Sequence, residues 1–272
     1  MHIHHRVRGR GAPLLLVMGW RANADWWPEP FLERLEARRT LVLFDNRGAG
    51  RTGDPGGLFS MRQMADDAAG LLAALGFERA DVLGVSMGGM IAQELVLRHP
   101  ERVRRLVLAS THCGRRSGVR AHPEARRTTF RILREPHRIE RHLGRLLFSR
   151  RLTRADRALV QELERVRRIA PISEWASLKQ YLAILRHDTR ARLGGITAPT
   201  LVLAAERDLM VPADNARVLA AAIPGARLQI FPGGSHALLH ERAGEIAELV
   251  AAFLDELPER GTVPPVPRAK HA

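Results

Sequence analysis

Seven short runs of the chain constrain its fold more than any other feature. "LLLVMG" (14–19), "LVLFD" (41–45), "DVLGVS" (81–86), "LVLAS" (106–110), "TLVLAA" (200–205) and "RLQIF" (227–231) are each of strand length and bounded by turn-forming residues. Most are apolar at successive positions, as expected of strands covered on both faces. "MHIHHRV" at the start adds an edge strand. Helices are expected between them. Ser60 and Gln63 form a capping-box pattern, after which Met64, Ala68, Leu71, Leu72 and Leu75 share one helical face up to Gly76. A second helix is expected from Ser86 to His99, ahead of Pro100. Two more are expected over about 214–223 and 241–257. Strand and helix in alternation predict an α/β fold, doubly wound around a mostly parallel sheet.

The alternation breaks once. Residues 112–195 hold no convincing strand and read as arginine-rich helices around 124–148, 153–169 and 173–187. This stretch has 21 basic residues against 8 acidic ones, while the whole chain has a net charge of +14. The positive charge therefore belongs to one segment. Lys179 and Lys270 are the only lysines, so arginine supplies nearly all of it. A long helical segment between two strands reads as a cap over the carboxyl edge of the sheet, where ligands of open α/β sheets bind. The domains expected are a core of 1–111 with 196–257, a cap of 112–195, and a disordered tail of 258–272 rich in proline and charge.

Composition excludes several function classes. Cys113 is the only cysteine, which rules out an internal disulfide and a cysteine-based metal cluster and suits a reducing, cytoplasmic setting. The N-terminus lacks the long apolar run of a secretory signal, and no window has the apolar length of a membrane span. No zinc motif, helix-turn-helix pattern or aromatic interleaving accompanies the arginines, so neither nucleic acid nor membrane is expected as a partner. The expected partner is a small-molecule substrate. The arginine excess hints that it is anionic. The sequence leaves the choice between monomer and homo-oligomer open.

Ser86, in "VLGVSMGGMIA", follows a strand and opens a helix, with Gly84 and Gly88 on either side. Such a sharp turn exposes a serine hydroxyl above the sheet and sets it on a helix N-terminus. A serine hydroxyl needs a base, and the base needs an orienting group. Asp208 lies just past the strand "TLVLAA", and His236 lies in "PGGSHALLHE", past the next strand. Both loops should emerge on the same edge as Ser86. Glu206 and Asp214 are rivals to Asp208, and His240 is a rival to His236. Asp45 and Arg47 are read as turn braces, His112 and Cys113 as pocket-rim residues, and His187–Asp188 as a helix-end contact.

With "VMGW", "FDNRGAGRTG", "GVSMGG", "APTLVLAAERDLMVP" and "PGGSHALLHE" in order, the chain resembles the α/β-hydrolase superfamily. The branch it resembles contains capped esterases, enol-lactonases, carbon–carbon bond hydrolases and cofactor-free haloperoxidases or perhydrolases. The match covers about residues 1–111 and 190–257. The resemblance implies a sheet of about eight strands with a helical cap inserted after the sixth. It also implies a nucleophile at Ser86, a general base at His236, an acid at Asp208, and an oxyanion hole from the backbone N–H groups of Trp20 and Met87. Gly19, Trp175 and Leu209 are expected to contact substrate. Neither cofactor nor metal is required. Many members carry histidine where this chain has Met18, which bears on how the oxyanion loop is held. The expected reaction is hydrolysis of a small ester or lactone through an acyl-enzyme. Carbon–carbon bond hydrolysis, perhydrolysis, and acyl transfer or cyclisation could use the same site. A ligand receptor on this fold is a further alternative. Dehalogenases and epoxide hydrolases of the fold place aspartate where Ser86 stands.

Overall fold

The computed structural model describes residues 1–114, 118–135, 140–148 and 153–256. The tail expected to be disordered lies outside them. Each apolar run becomes a strand: β1 (His5–Gly9), β2 (Ala12–Val17), β3 (Arg39–Phe44), β4 (Ala80–Val85), β5 (Val103–Ala109), β6 (Thr200–Ala205) and β7 (Arg227–Phe231). They form one sheet in the order β1-β3-β2-β4-β5-β6-β7. β1 pairs antiparallel with β3 at the edge, and every other pair is parallel. The sheet thus has seven described strands where about eight were expected, and the helical segment follows the fifth strand. The six apolar runs and the polar edge run account for the seven described strands.

Period-two alternation sends neighbouring side chains of each strand into two separate cores. Leu15, Val17, Val42, Phe44 and Val82 join one core, with Met64 and Leu71 of α2 (Met61–Ala74), Met90 and Ile91 of α3 (Met87–Arg98) and Leu219 of α8 (Asp214–Ala222). Leu14, Leu16, Leu41, Leu43 and Leu83 join the other, with Phe31 and Leu35 of α1 (Glu29–Glu36) and Val250 and Phe253 of α10 (Ala243–Asp255). Apolar runs without alternating polarity are what a sheet buried on both faces requires. Ser60 caps α2 by accepting from the Gln63 amide, and Gly76 follows the helix at φ +76°. The last helical stretch is split: α9 (Leu238–Glu241) precedes α10. α1 was not anticipated. Its signal is short, with Pro30 in the first turn and Phe31, Leu32 and Leu35 on one face.

Between β5 and β6 lie α4 (Pro123–Arg134), α5 (Glu140–Leu147), α6 (Arg154–Ile169) and α7 (Glu174–Arg186). The basic excess of the segment between β5 and β6 is partly met by acids elsewhere: Lys179 of α7 pairs with Asp54, and Arg192, after α7, with Glu94. The chain reverses its direction of winding at β2. β3 lies on one side of β2 and β4 on the other, so the loops after β2 and β4 flank a crevice at the carboxyl edge.

At the opposite edge, Asp81 of β4 is fully buried between Arg104 of β5 and Arg39 of β3, and Arg39 also pairs with Asp255. Removing a buried charge leaves its partners uncompensated in a poor solvent. Asp81→Ala should therefore lower unfolding free energy by about 3–5 kcal/mol in urea titrations. A loss typical of a surface site would show that the cluster is solvated.

Candidate active site

Ser86 sits at the end of β4 with φ +55° and ψ −118°, a conformation that costs a residue with a side chain about 1–3 kcal/mol. The surroundings hold it there. Its amide donates to the Ala109 carbonyl (2.9 Å), and its own carbonyl accepts from the Thr111 hydroxyl (2.7 Å). A β-carbon at Gly84 would run into the Gly88 carbonyl, and one at Gly88 into the Val17 carbonyl. Both glycines are therefore needed for α3 to approach β4 and β2 this closely. Met87 is the first residue of α3, where backbone N–H groups have no partner within the helix.

Asp208 follows β6 and is 3% exposed. One carboxylate oxygen accepts from the amides of Met210 (2.8 Å) and Val211 (2.9 Å). The other lies 2.6 Å from Nδ1 of His236. With Nδ1–H donating to the carboxylate, Nε2 is left as the acceptor. Ser86 and His236 line the same small cavity, which Gly19, Trp20, Val85 and Met210 also border. The rivals are engaged elsewhere. Glu206 accepts from the Gly233 amide, Asp214 pairs with Arg217, and Nε2 of His240 meets the Trp26 carbonyl at 3.0 Å. Asp45 takes the amides of Ala24 and Arg51, and Arg47 pairs with Asp67.

The loop after β2 carries Trp20, and α7 fixes it. The Trp20 indole donates to the Ser177 carbonyl (2.9 Å), and its ring lies 5.4 Å from that of Tyr181. The Arg21 amide donates to the Gln180 side chain (3.2 Å), and the Arg21 guanidinium to the Ser177 hydroxyl (2.6 Å). Asn46 donates to the carbonyl of Met18 (2.9 Å). The loop that follows Met18 is thus held by Asn46, Ser177 and Gln180.

A second, larger cavity of about 720 Å³ opens above Ser86. Its walls include Met90, Tyr181, Ile184 and Val211, and His112 lies on it as expected of a rim residue. Two expected contacts need correction. Trp175 is 61% exposed and lines neither cavity, because α7 buries Ala176, Ser177, Gln180 and Ala183 and turns Trp175 outward, near Lys179. Leu209 also lines neither. It packs against Ala125, Ile132 and Leu146, while its neighbour Met210 faces both cavities. The role missed in the sequence is that of Ser177 and Gln180, two ordinary polar residues whose pattern carries no signal of what they hold. Among the described residues, no three His, Cys, Asp or Glu side chains gather to hold a metal ion, and no helix is long and apolar enough to cross a membrane.

Comparison with known proteins places these features in context. A family model described as "alpha/beta hydrolase fold" matches residues 12–243. A RutD protein of Azorhizobium caulinodans, named as a carbamate hydrolase, is 32% identical over 94% of this chain and 96% of its own length. The pimeloyl-[acyl-carrier protein] methyl ester esterase of Citrobacter koseri is 31% identical over 93% of this chain and 98% of its own. The crystal structure of the enol-lactonase from Burkholderia xenovorans LB400 superposes with a TM-score of 0.80 at 26% identity, covering 93% of this chain and 96% of that one.

Beside the larger cavity, His112 and His187 face each other with ring centroids 6.5 Å apart. His187 is 5% exposed, and neither of its ring nitrogens has a hydrogen-bond partner among the described residues. Burial, together with His112 and Arg192, pushes the His187 pKa down from 6.5 to about 3. The unfolded chain therefore takes up this proton first. The stability that His187 contributes is intact at neutral pH and drains away as pH falls from 6.5 toward 3. Between about pH 7 and about pH 5, His187→Leu should lose about 2 kcal/mol less stability than the parent chain in urea unfolding. Equal losses in the two proteins would contradict the burial of a neutral imidazole.

Proposed function

The chain belongs to the α/β-hydrolase fold family, and from that premise we propose that this α/β-hydrolase enzyme uses Ser86, His236 and Asp208 to cleave a small-molecule ester or lactone. The observation that carries the reading is the 2.6 Å contact between Asp208 and Nδ1 of His236, with Ser86 and His236 on one cavity. Nε2 of His236 takes the Ser86 proton, and Oγ attacks the carbonyl carbon. The N–H groups of Met87 and Trp20 receive the negative charge that develops on the carbonyl oxygen. Losing one such donor typically raises the barrier by about 3–4 kcal/mol. His236 then gives its proton to the departing alcohol, and the acyl group stays on Ser86. Water, activated by the same imidazole, releases the acid. Asp208 holds the ring in the tautomer this sequence needs and stabilises the imidazolium.

Residues 112–195 act as a cap over a core of 1–111 and 196–257. Supporting this, side chains of α4 and α7 line the larger cavity above Ser86. An anionic substrate is part of the proposal, because arginines of α4 edge that cavity. The setting proposed is cytoplasmic, in keeping with a single buried cysteine.

Ser86→Ala and His236→Ala should each lower kcat/KM for short-chain esters by at least about a thousandfold. A fluorophosphonate probe should label the parent chain on Ser86 and leave Ser86→Ala unlabelled. Turnover that survives either substitution would remove these residues from the chemistry.

A further inference from the structure

The two cavities meet at the nucleophile. Trp20, Ser86 and Met210 border both. They differ in every other respect. The larger is edged by Arg120, Arg126, Arg127 and Arg131, and none of its described lining residues is Asp or Glu. No ion pair occupies any of these four arginines among the described residues. Glu124, on the same helix, is exposed and does not line the cavity. Apart from the arginines the lining is largely apolar, and Met90, Ile184, Leu185 and Val211 share it with Ser86. A chain with an apolar middle and a charged end suits such a lining.

The smaller cavity has a volume of about 100 Å³, room for a group of a few heavy atoms. Val85, Ile132, Leu143 and Leu163 make it largely apolar. Two arginines border it, and both are engaged: Arg167 pairs with Glu164, and Arg21 donates to the Ser177 hydroxyl. His236 lines this cavity and not the larger one. That asymmetry orients the substrate. A general acid must come within hydrogen-bond reach of the atom it protonates, here the oxygen of the departing alcohol. The alcohol therefore lies on the His236 side, and the acyl group is left on the other.

We propose that the substrate is divided at Ser86, with an acyl half that ends in a carboxylate or a comparable anion extending toward Arg126, Arg127 and Arg131, and a small apolar alcohol leaving on the His236 side. The inference rests on the Ser86–His236 reading above and adds a direction to it. The ester C–O bond breaks, the alcohol departs with the proton from His236, and water completes release of a diacid. The preferred substrates are thus half-esters of dicarboxylic acids.

Two isomeric esters test the direction. Monoethyl adipate carries its carboxylate on the acyl half, and 6-acetoxyhexanoate carries it on the alcohol half. Ethyl hexanoate is the neutral reference. For monoethyl adipate or its longer homologues, kcat/KM should exceed that of the matching isomer and of the neutral ester by about tenfold at low ionic strength, since a charge-assisted contact contributes on that order. The advantage should shrink as salt is added. It should fall toward parity in an Arg126→Ala, Arg127→Ala, Arg131→Ala triple variant, with the change carried by KM. Equal handling of the isomers by the parent chain would overturn the proposal while leaving the nucleophile in place. Preference for 6-acetoxyhexanoate would reverse it and point to Arg21. Loss of selectivity in the triple variant through kcat alone would also overturn it. Ester turnover independent of Ser86 would instead bring down the reading on which it rests.

Discussion

Everything at the carboxyl edge depends on how closely α3 approaches β2 and β4. The turn at Ser86 works only because nothing projects from Gly84 or Gly88 into the carbonyls beside them. That close approach puts the loop after β2 against the serine: a β-carbon at Gly19 would lie 3.3 Å from the Ser86 β-carbon. The strained backbone of Ser86 is tolerated because two hydrogen bonds from β5 and the segment after it hold the residue on both sides. A side chain at either glycine would have to push α3 outward and separate Ser86 from the loop that carries Trp20.

The two edges of the sheet solve opposite problems. At the amino edge, buried Asp81 pairs with buried Arg39 and with the partly exposed Arg104. At the carboxyl edge, Asp208 is buried too, but its partner is an imidazole with one nitrogen still uncommitted. The same residue type therefore serves cohesion at one end of the sheet and, in the proposed reaction, orients a base at the other, according to what stands beside it.

Much of the core was legible because a parallel sheet covered on both faces leaves a blunt signature. Six apolar runs and the polar edge run became seven strands, and the eighth, which had only the resemblance behind it, is not found among the described residues. Ser86, Asp208 and His236 could be named because each follows a strand at the same edge. The walls of the cavities could not. Trp175 and Tyr181 are six residues apart on a helix of about 3.6 residues per turn, so they face different ways, and no pattern said which faced inward. Trp175 faces solvent, and Tyr181 packs on Trp20. Ser177 and Gln180 were silent for a different reason. Their partners, the Trp20 indole, the Arg21 amide and guanidinium and the Arg47 carbonyl, lie more than a hundred residues away, and pairings at that distance leave no local trace.

The helix α7 belongs to the segment that shapes the cavity, yet it also fastens the loop beside Ser86. Ser177 and Gln180 take part in that fastening, and Gln180 further donates to the Arg47 carbonyl of the core. The segment between β5 and β6 is therefore not a detachable module. A foreign helical insert grafted at the same boundaries would arrive without these anchors and would loosen the Trp20 loop while changing the pocket. Selectivity can be remodelled along the arginine-bearing positions of α4, which make no hydrogen bond to the Trp20 loop among the described residues, whereas Ala125 and Ile132 of that helix belong to the cluster on which Trp20 packs. Along α7, changes of selectivity and changes of rate would be inherited together.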